Sequence, residues 1–259
     1  MEGKKSILDK MMVKKDSFMV IRCDGRGFGK LKDSGVFKKP YDKDFHDKLL
    51  KISSKALSDL FRDGMAYIIS DEISFILPKE FCLFNRKIEK LLSVTAGYLS
   101  GEGSLEFYEL GIDPVSFDAK IFEFDTIDEV LEYLDERKNY GFRNFIFTLL
   151  RDHEMKSGKS ATMVAKEANG RPISQQIDAL IKAGVDVYKM QYWKREGELL
   201  YFEPFVREIK VGSFGARTKE TVVRRKMIKD KPLRFCPDDK DIINQMINSE
   251  YSGGKNERT

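Results

Sequence analysis

Histidine is nearly missing from this chain. Only His46 and His153 occur, which disfavours a His-ligated zinc site or a Ser/His/Asp hydrolase. Cysteine is almost as scarce. Cys23, Cys82 and Cys236 lie far apart and form no CxxC pair, which points to a reduced, cytoplasmic chain rather than a disulfide framework. No apolar run approaches the ~18–20 residues needed to cross a bilayer, so no membrane association is expected. The opening MEGKKSILDKMMVKKD lacks both an apolar core and a small-residue cleavage site, so no signal peptide is expected either. Internal repeats and low-complexity segments are absent.

What is present is a charged, aromatic-rich chain. The 259 residues suffice for one large domain or a domain with a sizeable appendage, and 34% of them are charged. The net charge of +4 says less than its distribution. Between Arg207 and Arg234 lie Arg207, Lys210, Arg217, Lys219, Arg224, Arg225, Lys226, Lys229, Lys231 and Arg234, a block able to neutralise phosphates or simply to form a solvated basic face.

Periodicity orders the first half. SFMVIRC (17–23) reads as a buried strand. Phe45, Leu49, Ile52, Ala56 and Leu60 recur at helical spacing after Pro40, with Asp42 placed to cap, and RDG (62–64) stops the helix. MAYIIS and ISFILP are two strands split by Asp71-Glu72 at hairpin spacing. A second helix carries Ile88, Leu91, Leu92, Thr95 and Leu99, and SFDAKIFEF (116–124) alternates as a strand. Strand–helix–strand–strand–helix–strand is the split βαβ, ferredoxin-like arrangement, with its first and third strands expected side by side and parallel. A long helical pattern then runs from Ile127 to about Leu150, with YGFRNF expected to kink or break it. Two short helices flank NGRP. VDVYKMQYWK and ELLYFEPF read as strands about a turn at Glu196-Gly197, and TVVRRKMI as another strand. YSGGKNERT reads as a frayed tail.

The chemistry concentrates where VIRCDGRGFGK ends its strand. Asp24 falls at the carboxyl end of a central strand, and Asp71 and Glu72 fall at the same sheet edge. Gathered carboxylates repel unless a cation sits among them, and hard oxygen ligands favour Mg²⁺. Gly25, Gly27 and Gly29 leave backbone amides open to a phosphate, Arg26, Lys30 and Lys39 add charge, and Phe28 offers an apolar wall or a stacking face. Two bridged metal ions would suit an in-line nucleotidyl displacement. Taken singly, an Asp-Gly turn and an acidic hairpin tip are ordinary structure; their shared placement argues for a site.

IRCDGRGF (21–28), FKKPYD (37–42), ISDEISF (69–75) and SFDAK (116–120) resemble, in order and spacing, the tRNA-His guanylyltransferase family, and within it the Thg1-like 3′-to-5′ reverse polymerases. The resemblance covers the first half well and loosens from about Lys138 to Gly184. It implies an α+β, polymerase-palm or ferredoxin-like βαββαβ core with an antiparallel sheet and helices on one face. Residues 1–135 would form this core, and residues 136–259 a C-terminal α/β extension that binds tRNA. It implies activation of a tRNA 5′-monophosphate by ATP or GTP, then attack by the 3′-hydroxyl of an incoming nucleotide. Two Mg²⁺ ions and a homotetramer, a dimer of dimers, belong to the same expectation. By matching motif positions, Asp24 and Asp71 would bind metal with the Gly25 carbonyl, and Glu72 would sit beside them as a supporting acid. The amides of Arg26, Gly27, Phe28 and Gly29 would meet triphosphate, with Arg22, Lys39, Asp42 and Ser70 nearby. Local roles for Arg22 and Asp42 are an ion pair and a helix cap. Arg137, Lys138, Arg143 and Asn144 would contact tRNA or triphosphate, as would Arg217, Arg224, Arg225 and Lys226 of the basic block; for the first group an exposed helix face is the bland alternative.

Two departures bear on specificity. KNYGFRNF (138–145) stands where tRNA-His-specific members carry His-Ile-Asn-Asn-Leu-Tyr-Asn-Thr, and only Asn144 fits. Phe28-Gly29 stands where they often have Phe-His. Both favour template-dependent repair of truncated tRNA 5′ ends over tRNA-His-specific addition of one G. A palm-type nucleotidyl or diguanylate cyclase, the latter without its GGDEF hairpin here, and a non-catalytic RNA-binding protein are the competing readings.

Overall fold

The computed structural model describes residues 6–8, 10–33, 35–168, 170–211 and 218–248. The chain runs β1 (Phe18–Arg26), α1 (Phe28–Asp33), α2 (Lys43–Asp59), β2 (Met65–Ile69), β3 (Glu72–Leu77), α3 (Ile88–Tyr108), β4 (Ser116–Phe124) and α4 (Ile127–Lys156). It continues through α5 (Ala161–Ala168), α6 (Ile173–Lys182), α7 (Tyr192–Arg195), β5 (Glu198–Val211), β6 (Thr218–Asp230) and α8 (Lys240–Asn248). The strands form one six-stranded sheet in the order β4-β1-β3-β2-β5-β6. The βαββαβ core expected from periodicity is present, but β1 and β3 pair antiparallel, with Asp24 opposite Glu72. The expectation of a parallel pair fails because β3 returns through a tight hairpin from β2, the strand that does run parallel to β1.

Strand alternation sorts the core into two faces. Met19, Ile21, Cys23, Ile73 and Phe75 pack on the α2–α3 side, with Leu49, Ile52, Leu91 and Leu99. Val20, Tyr67, Ile76 and Leu199 pack on the other side, against Val130 and Leu134 of α4 and Ile243 of α8. The two helices of the βαββαβ unit thus share a face, while α4 and α8 cover the opposite one. A third apolar cluster joins the second half of α4 to α5 and α6 through Phe145, Leu149, Ile177 and Leu180.

Three expectations are corrected. Helix α4 is unbroken through YGFRNF, started by a Thr126–Glu129 capping box. Gly141 survives mid-helix because a Cβ there would overlap the Ile69 side chain. VDVYKMQYWK is not a strand but a 3₁₀ turn at Val187–Lys189 followed by α7. The hairpin turn is Ser70-Asp71, and Glu72 already pairs with Ile69. The YSGGKNERT segment lies outside the described residues.

Candidate active site

Strand β1 does not open into a loop at Asp24. It stays in register with β4 through Gly25↔Phe117 and Arg26↔Ser116. The glycines there have separate reasons. A Cβ on Gly25 would overlap the Phe28 ring, which folds back beneath the strand. Gly27 takes φ +77°, a conformation favourable to glycine, and turns the chain into α1. Phe28 is therefore no stacking platform: it is 1% exposed and makes edge contacts with Phe45, Phe107 and Phe117. Arg26 and Gly29 remain exposed.

Asp24 reaches solvent at the strand end, opposite both Glu72 and Asp118. Desolvation by surrounding protein, then the charges of Asp71, Glu72 and Asp118, push its carboxyl above the ordinary aspartate range. Among the described residues it has no ion-pair partner. Asp71 sits at the hairpin tip, where Ser70 holds a left-handed φ of +57° and donates its hydroxyl to Asp71 Oδ1 at 2.8 Å.

Glu72 is different. Arg137 donates Nε and Nη2 to its two oxygens at 2.8 and 2.7 Å, and Arg22 lies 3.6 Å away while packing over the Phe122 ring. Both carboxylate oxygens are thus engaged, which gives Glu72 an ion-pair role and Arg22 the local role considered for it. The acid cluster splits into a neutralised member, Glu72, and an unneutralised one, Asp24.

Beside Asp71 opens a cavity of about 550 Å³. Gly29, Lys39, Asp42, Ser70, Asp71 and Asn144, six residues singled out in the sequence, all line it. Asp42 is also the α2 cap, accepting from the Lys38 and Phe45 amides at 2.8 and 3.0 Å. Burial opposes ionisation there, but those amide hydrogen bonds prevail and hold its carboxyl below the usual range. The inner wall is aromatic: Phe37, Tyr41, Phe147 and Trp193.

Several lining residues were not anticipated. Thr148, Arg151 and Met155 continue along α4 the stripe begun by the expected Asn144, a helical spacing readable from the sequence. His46 and Trp193 stack at 4.4 Å on the cavity wall, and His46 Nε2 lies 2.7 Å from buried Glu198. The only tryptophan and one of just two histidines could have been flagged by rarity.

The expected RNA contacts divide. Arg137 is bound to Glu72, and Lys138 donates to the Leu233 carbonyl at 2.8 Å. Arg225 is tied to the Arg62 carbonyl and Asp63 at 3.0 and 2.7 Å. Arg143, Arg224 and Lys226 are exposed, and Arg217 lies outside the described residues.

Asp24 and Asp71 offer two hard oxygen donors. Among the described residues no three His, Cys, Asp or Glu side chains are grouped to hold a metal ion. That set is too few for a protein-enclosed ion but fits Mg²⁺, which keeps waters and shares substrate phosphates. No described helix is long and apolar enough to cross a membrane.

The profile described as Thg1, tRNAHis guanylyltransferase, matches residues 2–125. A tRNA(His) guanylyltransferase of Debaryomyces hansenii is 34% identical over 134 residues, 48% of this chain and 49% of that protein. The chain thus spans about half the length of this relative, and less of two others it matches, from Arabidopsis thaliana and Neurospora crassa. The crystal structure of the Saccharomyces cerevisiae tRNA(His) guanylyltransferase superposes with TM-score 0.66 at 20% identity, covering 73% of this chain and 87% of that one. A bacterial Thg1-like protein in complex with ATP superposes with TM-score 0.68 at 18% identity, covering 92% and 93%. At these identities the superpositions speak for the fold, which is that of the Thg1 proteins. Motifs, matched profile and fold agree on one point: residues 2–125 match the Thg1 family, and the chain has the fold of its solved members.

Proposed function

We propose that the protein is a nucleotidyltransferase that adds nucleotides to the 5′ end of tRNA in the 3′-to-5′ direction, with an opposing template base choosing the nucleotide. The observation that carries this reading is the convergence of Gly29, Lys39, Asp42, Ser70, Asp71 and Asn144, from four separate segments, on one cavity beside Asp24. The cavity has an aromatic interior for a base and a rim bearing Lys38, Lys39 and Arg151 toward which phosphates can point. The ATP held by a bacterial protein of this fold supports a nucleoside triphosphate as occupant.

Asp24 and Asp71 would hold Mg²⁺ together with the Gly25 carbonyl. When bound, the metal supplies charge neutralisation at the transferring phosphorus and orients attacking and leaving oxygens. The chain's own residues do the rest. The Arg137–Glu72–Arg22 network holds β1, β3 and α4 in register beneath the site. Phe37, Tyr41 and Trp193 exclude water around the base, and Asn144 offers a hydrogen-bonding amide at the mouth.

The test uses 5′-monophosphorylated tRNA lacking its first nucleotide, incubated with ATP and each nucleoside triphosphate in turn. Incorporation should follow the opposing acceptor-stem base. Asp24→Ala and Asp71→Ala should each drop it at least about 100-fold, since losing even an outer-shell partner of a metal costs 10–100-fold. Incorporation retained by either folded variant rejects the site. Addition of G whatever base lies opposite would favour the tRNA-His reading instead.

A further inference from the structure

One exposed aromatic ring stands at the edge of the sheet where the acids gather. Tyr140, third in KNYGFRNF, is 52% exposed on α4. The Arg137 guanidinium lies over its ring, 4.5 Å from the centroid. That guanidinium is itself fixed by two hydrogen bonds to Glu72, the residue across from Asp24. One face of the ring is therefore braced, through Arg137, to the strand pair that carries the acids. Among the described residues the ring meets no other aromatic group, and its hydroxyl has no hydrogen-bond partner.

Helical geometry fixes where the ring stands. The Tyr133 hydroxyl meets Ser74 at 2.9 Å, and Arg137, one turn on, meets Glu72. Four helical residues rise ~6 Å and two strand residues ~6.8 Å, so α4 keeps step with β1 as both run toward Asp24. Three more residues carry the Tyr140 Cα about 4.5 Å past the Asp24–Glu72 pair. Neighbours set its sideways lean. Tyr133 packs on Phe122 and Phe124 of β4 at 5.4 and 5.6 Å, whereas Gly141 abuts Ile69 of β2. Tyr140 follows Tyr133 by seven residues, close to two full turns, and so shares its side of the helix. The ring thus overhangs the ends of β1 and β4, where Asp24 and Asp118 lie opposite each other. It takes no part in the wall of the cavity beside Asp71.

Addition at a 5′ end brings two nucleotides to one set of acids: the triphosphate that activates and the nucleotide that is added. The cavity has room for one of them. The other must present its 3′-hydroxyl near Asp24 with its base held flat. A ring braced on one face and open on the other suits a planar base.

We propose that Tyr140 is the stacking platform for the base of the nucleotide being added, with Arg137 bracing the ring from behind. This rests on the 5′-addition reading above and gives it a second base-holding surface, separate from the cavity.

Addition kinetics are measured at saturating ATP on 5′-truncated, 5′-monophosphorylated tRNAs whose opposing base calls for G or for C. Tyr140→Ala should raise the KM for GTP roughly 5- to 100-fold. The KM for CTP should rise less, because a pyrimidine covers less of the ring. Tyr140→Phe should restore both, and Tyr140→Leu, which fills the space without a π-face, should not. The KM for tRNA, the rate at which ATP alone activates the 5′ end, and the melting temperature should match the unaltered protein. So should every constant of Tyr108→Ala, which alters a 76% exposed tyrosine of α3 at the other face of the sheet. An equal rise for GTP and CTP overturns the proposal, since it makes the ring only a brace for Arg137. So does a raised KM for tRNA at unchanged KM for GTP, which would put the RNA's own terminal base on the ring. Unchanged kinetics of Tyr140→Ala overturn it as well and leave the proposed function standing. An unaltered protein that adds no nucleotide defeats both.

Discussion

Asp24 and Glu72 face each other across one register position, yet their surroundings assign them opposite tasks. Glu72 is saturated by Arg137, while Asp24 is crowded by carboxylates and so is the group that gains from a cation. That contrast arises only in the fold, because the DE dipeptide in ISDEISF presents two acids as equals. The same holds for Glu198, which in sequence is one more acid near a turn. In the fold it is 1% exposed and accepts from His46, from Tyr192 at 2.7 Å and from Lys229 at 3.2 Å. Burial alone would raise its carboxyl, but the His46 and Tyr192 hydrogen bonds prevail and lower it below the ordinary 4.5. A depressed carboxylate stabilises the fold above its unfolded pKa and loses that contribution as pH falls through the folded value. Glu198→Gln should therefore cost about 2 kcal/mol at pH 7 by denaturant titration, and the gap from the unaltered protein should narrow as pH drops below 4.5.

At the scale of elements, periodicity performed well wherever one face of a strand or helix met the core. The β1, α2, β2, β3, α3 and β4 segments were legible for that reason. It failed where a local signal was outweighed by a tertiary contact. YGFRNF reads as a break because glycine costs about 1 kcal/mol within a helix, yet α4 continues because Gly141 lets Ile69 of β2 approach. Gly141→Ala should therefore lower the melting temperature by several degrees. Overpacking costs about 1–3 kcal/mol and exceeds the propensity gained. A rise in melting temperature would show that the contact is slack. The turn at Leu83–Arg86 was invisible for a related reason. Phe84, Asn85 and Arg86 all hold positive φ, and the buried Arg86 guanidinium secures them through the Lys79, Phe81 and Ser17 carbonyls.

On the scale of the whole molecule, residue 136 falls inside α4, and β5 adds directly to β2. The first 135 residues therefore lack the strand that covers Ala66 and Ile68, and the whole stretch of α4 that lines the cavity, Asn144 to Lys156. A fragment ending at residue 135 should show no cooperative thermal transition by circular dichroism, while residues 1–248 should melt as a unit. A sharp transition in the short fragment would mean that the palm-like core holds itself together.

Composition and spacing by themselves determined the strand–helix–strand–strand–helix–strand order, because periods of two and near 3.6 are local properties of the chain. They also delivered Asp24 and Asp71 to one sheet edge, since a hairpin and a crossover leave few alternatives. Which acid stays unneutralised, which glycine serves packing rather than phosphate, and which cations of the basic block face outward were decided only in three dimensions. Each depends on partners tens of residues distant, and no local pattern encodes them.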